Sequence, residues 1–281
     1  MKFKFDNTIG NKSTAITLDE LSQTTAGNNY DVPNHATGIR EILKTVQTVH
    51  SDAELTETYV ANGRAHWKYN NNADPLKQSL LENYIFEQLI AKINIPVKIN
   101  GGSLKLAIKF DDNKYTVAFG AEIEVCSNMM ILGRGDVIQT GRRGSDRMNF
   151  TAVINAVKSW MQIADDKAKQ VDRFIEKTNN VLLTQSNVNE LLGVLSRSSV
   201  MNAPKQILKG YQVTNLCKNI NKVFSSNGKP APVSITGWQL WNEATNDIEV
   251  YNTDLGSYID NSLNITRFCD SFEEHTTLQI T

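Results

Sequence analysis

The strongest constraint on the fold of this chain is a stretch of strict alternation. Leu104, Leu106, Ile108 and Phe110 alternate with Lys105, Ala107 and Lys109. After Asp111-Asp112-Asn113 the pattern resumes at Tyr115, Val117, Phe119, Ala121, Ile123 and Val125. Side chains two apart on a strand share a face, so the two runs predict a long antiparallel hairpin with one buried face. A Gly/Arg-rich connection follows, and the period then changes. Phe150, Val153, Ile154, Val157, Trp160, Met161, Ala164, Ala168, Val171, Phe174 and Ile175 recur at helical spacing. They predict a single amphipathic helix of roughly 30 residues, about 45 Å long, stopped at Asn179-Asn180. The fold class is therefore α+β: a long hairpin or sheet packed against a long amphipathic helix.

The flanking segments are read by the same rules. Thr17 and Glu20 form a capping-box pair at the start of a short helix. Ile39, Leu43 and Val46 predict a helix over 34–49. Tyr59, Trp67 and Tyr69 favour a strand over 58–69, and Asn70 to Pro75 is a turn. Residues 76–93 are amphipathic at helical spacing, with Pro96 as the expected stop. Helices are expected over 188–195, 203–224 and 235–245, the last carrying Trp238 and Trp241. This divides the chain into a loosely ordered segment (1–30), an α+β core (31–180) and a helical C-terminal region with an acidic tail (181–281).

Composition narrows the function classes mainly through charge. The net charge is −1, but it is unevenly placed. No acidic residue occurs from Leu191 to Asn242, a stretch carrying Arg197, Lys205, Lys209, Lys218, Lys222 and Lys229. From Glu243 to Thr281, eight acidic residues face Arg267 alone. These segments either neutralise each other or present a basic surface and an acidic one. No apolar run is long enough to span a membrane, and the start of the chain lacks an apolar leader core. Three widely spaced cysteines do not make a disulfide framework, so the expected location is the cytoplasm.

Catalytic chemistry finds little support. His35, His50, His66 and His275 match no metal-ligand spacing. Glu122 and Glu124 share a strand face, but it is the face opposite the apolar stripe, where solvated charge is expected. Cys126 reads as a small core hydrophobe. No catalytic residue, metal or cofactor is therefore expected. The most suggestive segment contains Arg134, Arg142, Arg143 and Arg147 among four glycines, just before a helix start. Glycine admits close backbone approach to a phosphate, and the guanidinium fork matches phosphate oxygens. Lys205 with Lys209, and Lys218 with Lys222, would extend a basic surface at helical spacing. Arg64 and Trp67 would add a cation and a base-stacking ring.

Three short motifs carry a resemblance to a family of phage- and plasmid-borne proteins, domain of unknown function 932 (DUF932-like). They are Gly63-Arg64-Ala65-His66-Trp67, Glu124-Val125-Cys126-Ser127-Asn128-Met129 and Trp241-Asn242-Glu243-Ala244-Thr245. Order and spacing resemble the family over roughly residues 30–260. Ile123-Glu124 stands where the family carries an arginine, and Gln139-Thr140 where it carries a His-Thr element. The resemblance implies a mobile-element origin, a bacterial host cytoplasm and no established reaction. The hairpin-and-helix core is also similar, at the level of fold, to phage single-strand annealing proteins. The expected function is thus a non-enzymatic accessory protein that binds single-stranded DNA or another nucleic acid, of annealing or recombination type, and self-associates. One alternative is a counter-defence or regulatory factor that binds a host protein through the acidic tail. Another is a metal-dependent enzyme acting on a nucleotide or small phosphate through Glu122 and Glu124.

Overall fold

The computed structural model describes residues 14–23, 35–65, 84–111, 114–123, 126–131, 134–141, 150–200, 210–225 and 232–245. The alternating runs form β4 (Gly102–Asp111) and β5 (Lys114–Ile123), paired antiparallel from Gly102↔Ile123 to Asp111↔Lys114. The sheet extends in both directions from this hairpin. On one side lie β3 (Tyr84–Ile99), β2 (Glu54–Ala65) and the two-residue β1 (Thr14–Ala15). On the other, β6 (Cys126–Met130) and β7 (Val137–Gly141) share the free edge of β5. The pairings between neighbouring strands of this seven-stranded sheet are antiparallel.

Strand β3 corrects the helix expected over residues 84–93; residues 76–83 lie outside the described residues. Leu89, Ala91, Ile93 and Ile95 alternate on one face and are fully buried. Isoleucine-rich β3 is joined to β4 by Asn100-Gly101, and Gly101 has a positive φ of 81°. Such a two-residue turn twists in the sense that antiparallel strands require. Pro96 does not end the element. It sits in a bulge between Ile95 and Lys98, where a residue without an N–H costs no ladder bond.

One face of the sheet packs on helices. Before it come α1 (Leu18–Gln23) and α2 (His35–Gln47). Reciprocal bonds start α1: Thr17 N–H donates to Glu20 at 3.0 Å and Glu20 N–H to Thr17 Oγ1 at 3.2 Å. After β7 come α3 (Phe150–Gln162) and α4 (Ala164–Asn180). The single long helix is thus two helices, with Ile163 between them half exposed. The apolar stripe serves two partners: α3 lies against α2, whereas α4 lies against β3. Packing against differently placed neighbours bends the chain, and Asp165 and Asp166 suit a new helix start. Phe119 of β5 stacks on Trp160 of α3 at 5.9 Å, and Trp160 is buried as its place in the stripe predicts.

The C-terminal region contains α5 (Gln185–Val200), α6 (Gly210–Phe224) and α7 (Gly237–Thr245). A small second sheet, β8 (Leu182–Thr184) with β9 (Ser234–Thr236), ties its two ends together. Two further capping pairs start α5 and α7. Asn187 N–H donates to Thr184 Oγ1 at 3.3 Å, and Gln239 N–H to Thr236 Oγ1 at 3.1 Å. Trp238 and Trp241 of α7 stack in parallel at 4.8 Å.

Gly120 is required by backbone proximity. A Cβ there would lie 2.1 Å from the Met130 carbonyl oxygen, where β6 closes on β5. Gly120→Ala should therefore destabilise the protein by about 2 kcal/mol or more, read as a lower urea midpoint at unchanged slope.

Candidate functional site

Strand alternation and register place a set of polar residues on the sheet face opposite the helices. Glu57 of β2 lies directly across from Lys92 of β3, Asn94 from Lys105 of β4, and Ser103 from Glu122 of β5. Beyond the bulge, Lys98 pairs with Ser103 and rejoins the same face. The β3 bulge therefore helps shape one wall of a cleft of about 780 Å³, lined by Asn94, Lys98, Ser103, Lys105, Glu57 and Glu122 among others.

Charge behind the cleft is organised around Lys92, which is only 1% exposed. Its ammonium lies 2.8 Å from Glu122 Oε1 and 3.3 Å from Glu57 Oε2. Lys105 forms a close ion pair with the other oxygen of Glu122. Burial acts to raise the Glu122 pKa. The charge of Lys92 and hydrogen bonds from Lys105 and Lys92 outweigh it, holding the carboxyl below its ordinary value of 4.5. This corrects the expectation of a solvated Glu122. On this face Glu122 is largely buried, and its charge is met by Lys92 and Lys105.

Within the Gly/Arg segment, residues 134–141 form regular structure. Arg134–Asp136 is a 3-10 turn, and residues 137–141 are β7. Asp136 makes a buried ion pair with Lys167 of α4, and the Trp160 indole N–H donates to the Gly135 carbonyl at 3.2 Å. The Arg-Gly-Asp triplet thus ties the sheet edge to the α3–α4 junction.

Of the residues expected to bind nucleic acid, Lys218 and Lys222 stand on α6, exposed and one turn apart. Neither forms an ion pair with a described residue. Arg134 opens the 3-10 turn and Arg64 lies in β2 opposite Ile85, with their side chains outside the description. Arg142, Arg143, Arg147, Lys205, Lys209 and Trp67 lie outside the described residues. The structure therefore brings together two of the ten in a describable way. Sequence reasoning missed Lys92, Asn94 and Lys98 because a helix over 76–93 with Pro96 as its stop put Lys92 in a different element from Asn94 and Lys98. The Asn100-Gly101 turn was the signal that would have aligned them.

As for other chemistry, both Glu122 oxygens accept from lysines, so a cation there would have to displace two ammonium groups. The described residues contain no group of three potential metal ligands. The Cys217 thiol is pushed up by burial, which disfavours the thiolate. No helix among the described residues is long and apolar enough to cross a membrane. No family model, curated protein or solved structure matches this chain.

The Glu122 carboxylate gives a signed pH dependence. A folded pKa below the unfolded one contributes stability above pH 4.5, lost as pH falls through the folded value. Glu122→Gln should lower the urea midpoint at neutral pH and lose less stability than the wild type below pH 4.5.

Proposed function

We propose that the protein is a non-catalytic, self-associating accessory protein of a mobile element that binds single-stranded nucleic acid. The observation that carries this reading is the acid-free stretch from Leu191 to Asn242, in which α6 exposes Lys218 and Lys222 one turn apart without ion-pair partners among the described residues. Exposed cations uncommitted to internal pairs are what a phosphate backbone recruits. An antiparallel sheet backed by helices on one face supports the annealing-type comparison as fold analogy only. Arg142, Arg143, Arg147, Lys205 and Lys209 would extend the same surface, and the resemblance to the DUF932 family supplies the mobile-element context. The competing reading, capture of a host protein through the acidic segment 243–281, predicts no salt-sensitive binding of DNA.

Labelled single-stranded DNA titrated over a range of salt, with mass tracked by light scattering, tests the proposal. Binding should weaken linearly in log–log form with salt. The Lys218→Ala/Lys222→Ala variant should bind more weakly, with a slope reduced by about 1.4, the contribution of two phosphate contacts on a single strand. Absence of binding at low salt would overturn the reading, as would an unchanged slope in the variant.

A further inference from the structure

The cleft at the β3–β4 end of the sheet holds cationic and donor groups that the fold itself does not use. Each carboxylate lining it is already turned onto lysine: Glu122 onto Lys92 and Lys105, Glu57 onto Lys92. Lys98 and Lys105 line the cleft with the two glutamates, and Lys92, buried behind this lining, pairs with both of them, so the network as a whole leaves one positive charge over. Lys98 carries it. Its side chain is exposed, lines the cleft and makes no ion pair with a described residue.

Neutral donors converge beside it. Ser103 Oγ donates to Asn94 Oδ1 at 2.7 Å, which fixes the amide and leaves its nitrogen as a donor. Gly101 and Gly102 put bare backbone at the rim, where no side chain blocks approach. Asn100 N–H donates to Asp172 of α4 at 2.7 Å, anchoring the turn that carries them. The walls are strands, and the charge behind them is locked in the Lys92 network, so the cleft is preorganised.

We propose that this cleft is a binding site for a phosphate group, held by the ammonium group of Lys98 and by the Asn94 amide. A compact oxyanion matches an uncommitted ammonium beside an amide donor, and the paired glutamates present little net charge to repel it. The group has two possible sources, a free nucleotide or the terminal phosphate of a nucleic acid. The site is separate from α6 and does not rest on the single-strand reading.

The test uses the full-length protein and inorganic pyrophosphate. Amide resonances of Asn100 to Ser103 are followed by NMR during titration, in the wild type, Lys98→Glu, Lys98→Arg and Lys218→Ala/Lys222→Ala. Saturable shifts of these amides are expected in the wild type and in the α6 variant. Lys98→Glu should weaken binding by about tenfold or more, as loss of a charge-assisted contact does, and Lys98→Arg should retain it. Lys98 is exposed, so its variants should keep the wild-type spectrum elsewhere. Lack of saturable shifts at millimolar pyrophosphate would overturn the proposal, as would unaltered affinity in Lys98→Glu. Displacement by a nucleoside triphosphate identifies a free nucleotide as the source. Displacement by a 5′-phosphorylated but not a 5′-hydroxyl oligonucleotide identifies a strand terminus. Displacement by neither would reject a phosphoester ligand. Because the α6 variant serves as a control, failure here leaves the nucleic-acid reading to its own test.

Discussion

The sheet depends on one buried cation. Lys92 sits in β3 at 1% exposure and holds Glu57 of β2 and Glu122 of β5, while Lys105 of β4 closes the network from the remaining strand. Four adjacent strands are thus linked through a single charge cluster. Burying such charges costs several kcal/mol per ion before pairing, so the network is weak evidence for net stability. Its effect is on specificity. A slip of one residue in any of these strands would turn a charged side chain into the apolar layer beneath the helices. The core and the charge network therefore enforce the same register from opposite faces.

That two-sided burial explains what was legible in the sequence and what was not. The β4–β5 hairpin was readable because Leu104 to Phe110 and Tyr115 to Ile123 alternate without interruption around a polar turn. Helix α2 and the Thr17–Glu20 cap were readable because their signals are local. Strand β3 was not. Ile90 lies between Leu89 and Ala91, and all three are buried, so the period-2 signal is blurred by apolar residues on both faces. Isoleucines at 85, 90, 93, 95 and 99, followed by Asn100-Gly101, argue for a strand on other grounds. The break at Ile163 left no mark in the apolar stripe, which keeps helical spacing across it while the tertiary partners differ. The helix expected over 235–245 begins instead at Gly237, where Thr236 and Gln239 cap it and β9 ends.

The candidate site was less legible for a related reason. Composition drew attention to arginines and glycines, whereas the describable geometry concerns lysines and an asparagine brought together by register. Lys105 was visible in the alternation, but its neighbours Asn94 and Lys98 become neighbours only once β3 is a strand with a bulge at Pro96. Glu122 was visible too, yet its meaning changed, from a solvated acid to the counter-charge of two lysines.

Sorting cations by commitment organises the molecule. Lys92 and Lys105 in the sheet network, and Lys167 beside Asp136, are held by carboxylates and maintain the fold. Lys98, Lys218 and Lys222 are exposed and make no ion pair with a described residue, and they are the cations proposed to meet an anion from outside. The most direct test of this division is hydrogen–deuterium exchange of the full chain with and without a single-stranded oligodeoxynucleotide at low salt. Slower exchange across Gly210–Phe224, with β4 and β5 unchanged, is the predicted result. Unaltered exchange across that helix at a concentration that saturates binding would contradict the assignment of α6 as the nucleic-acid surface.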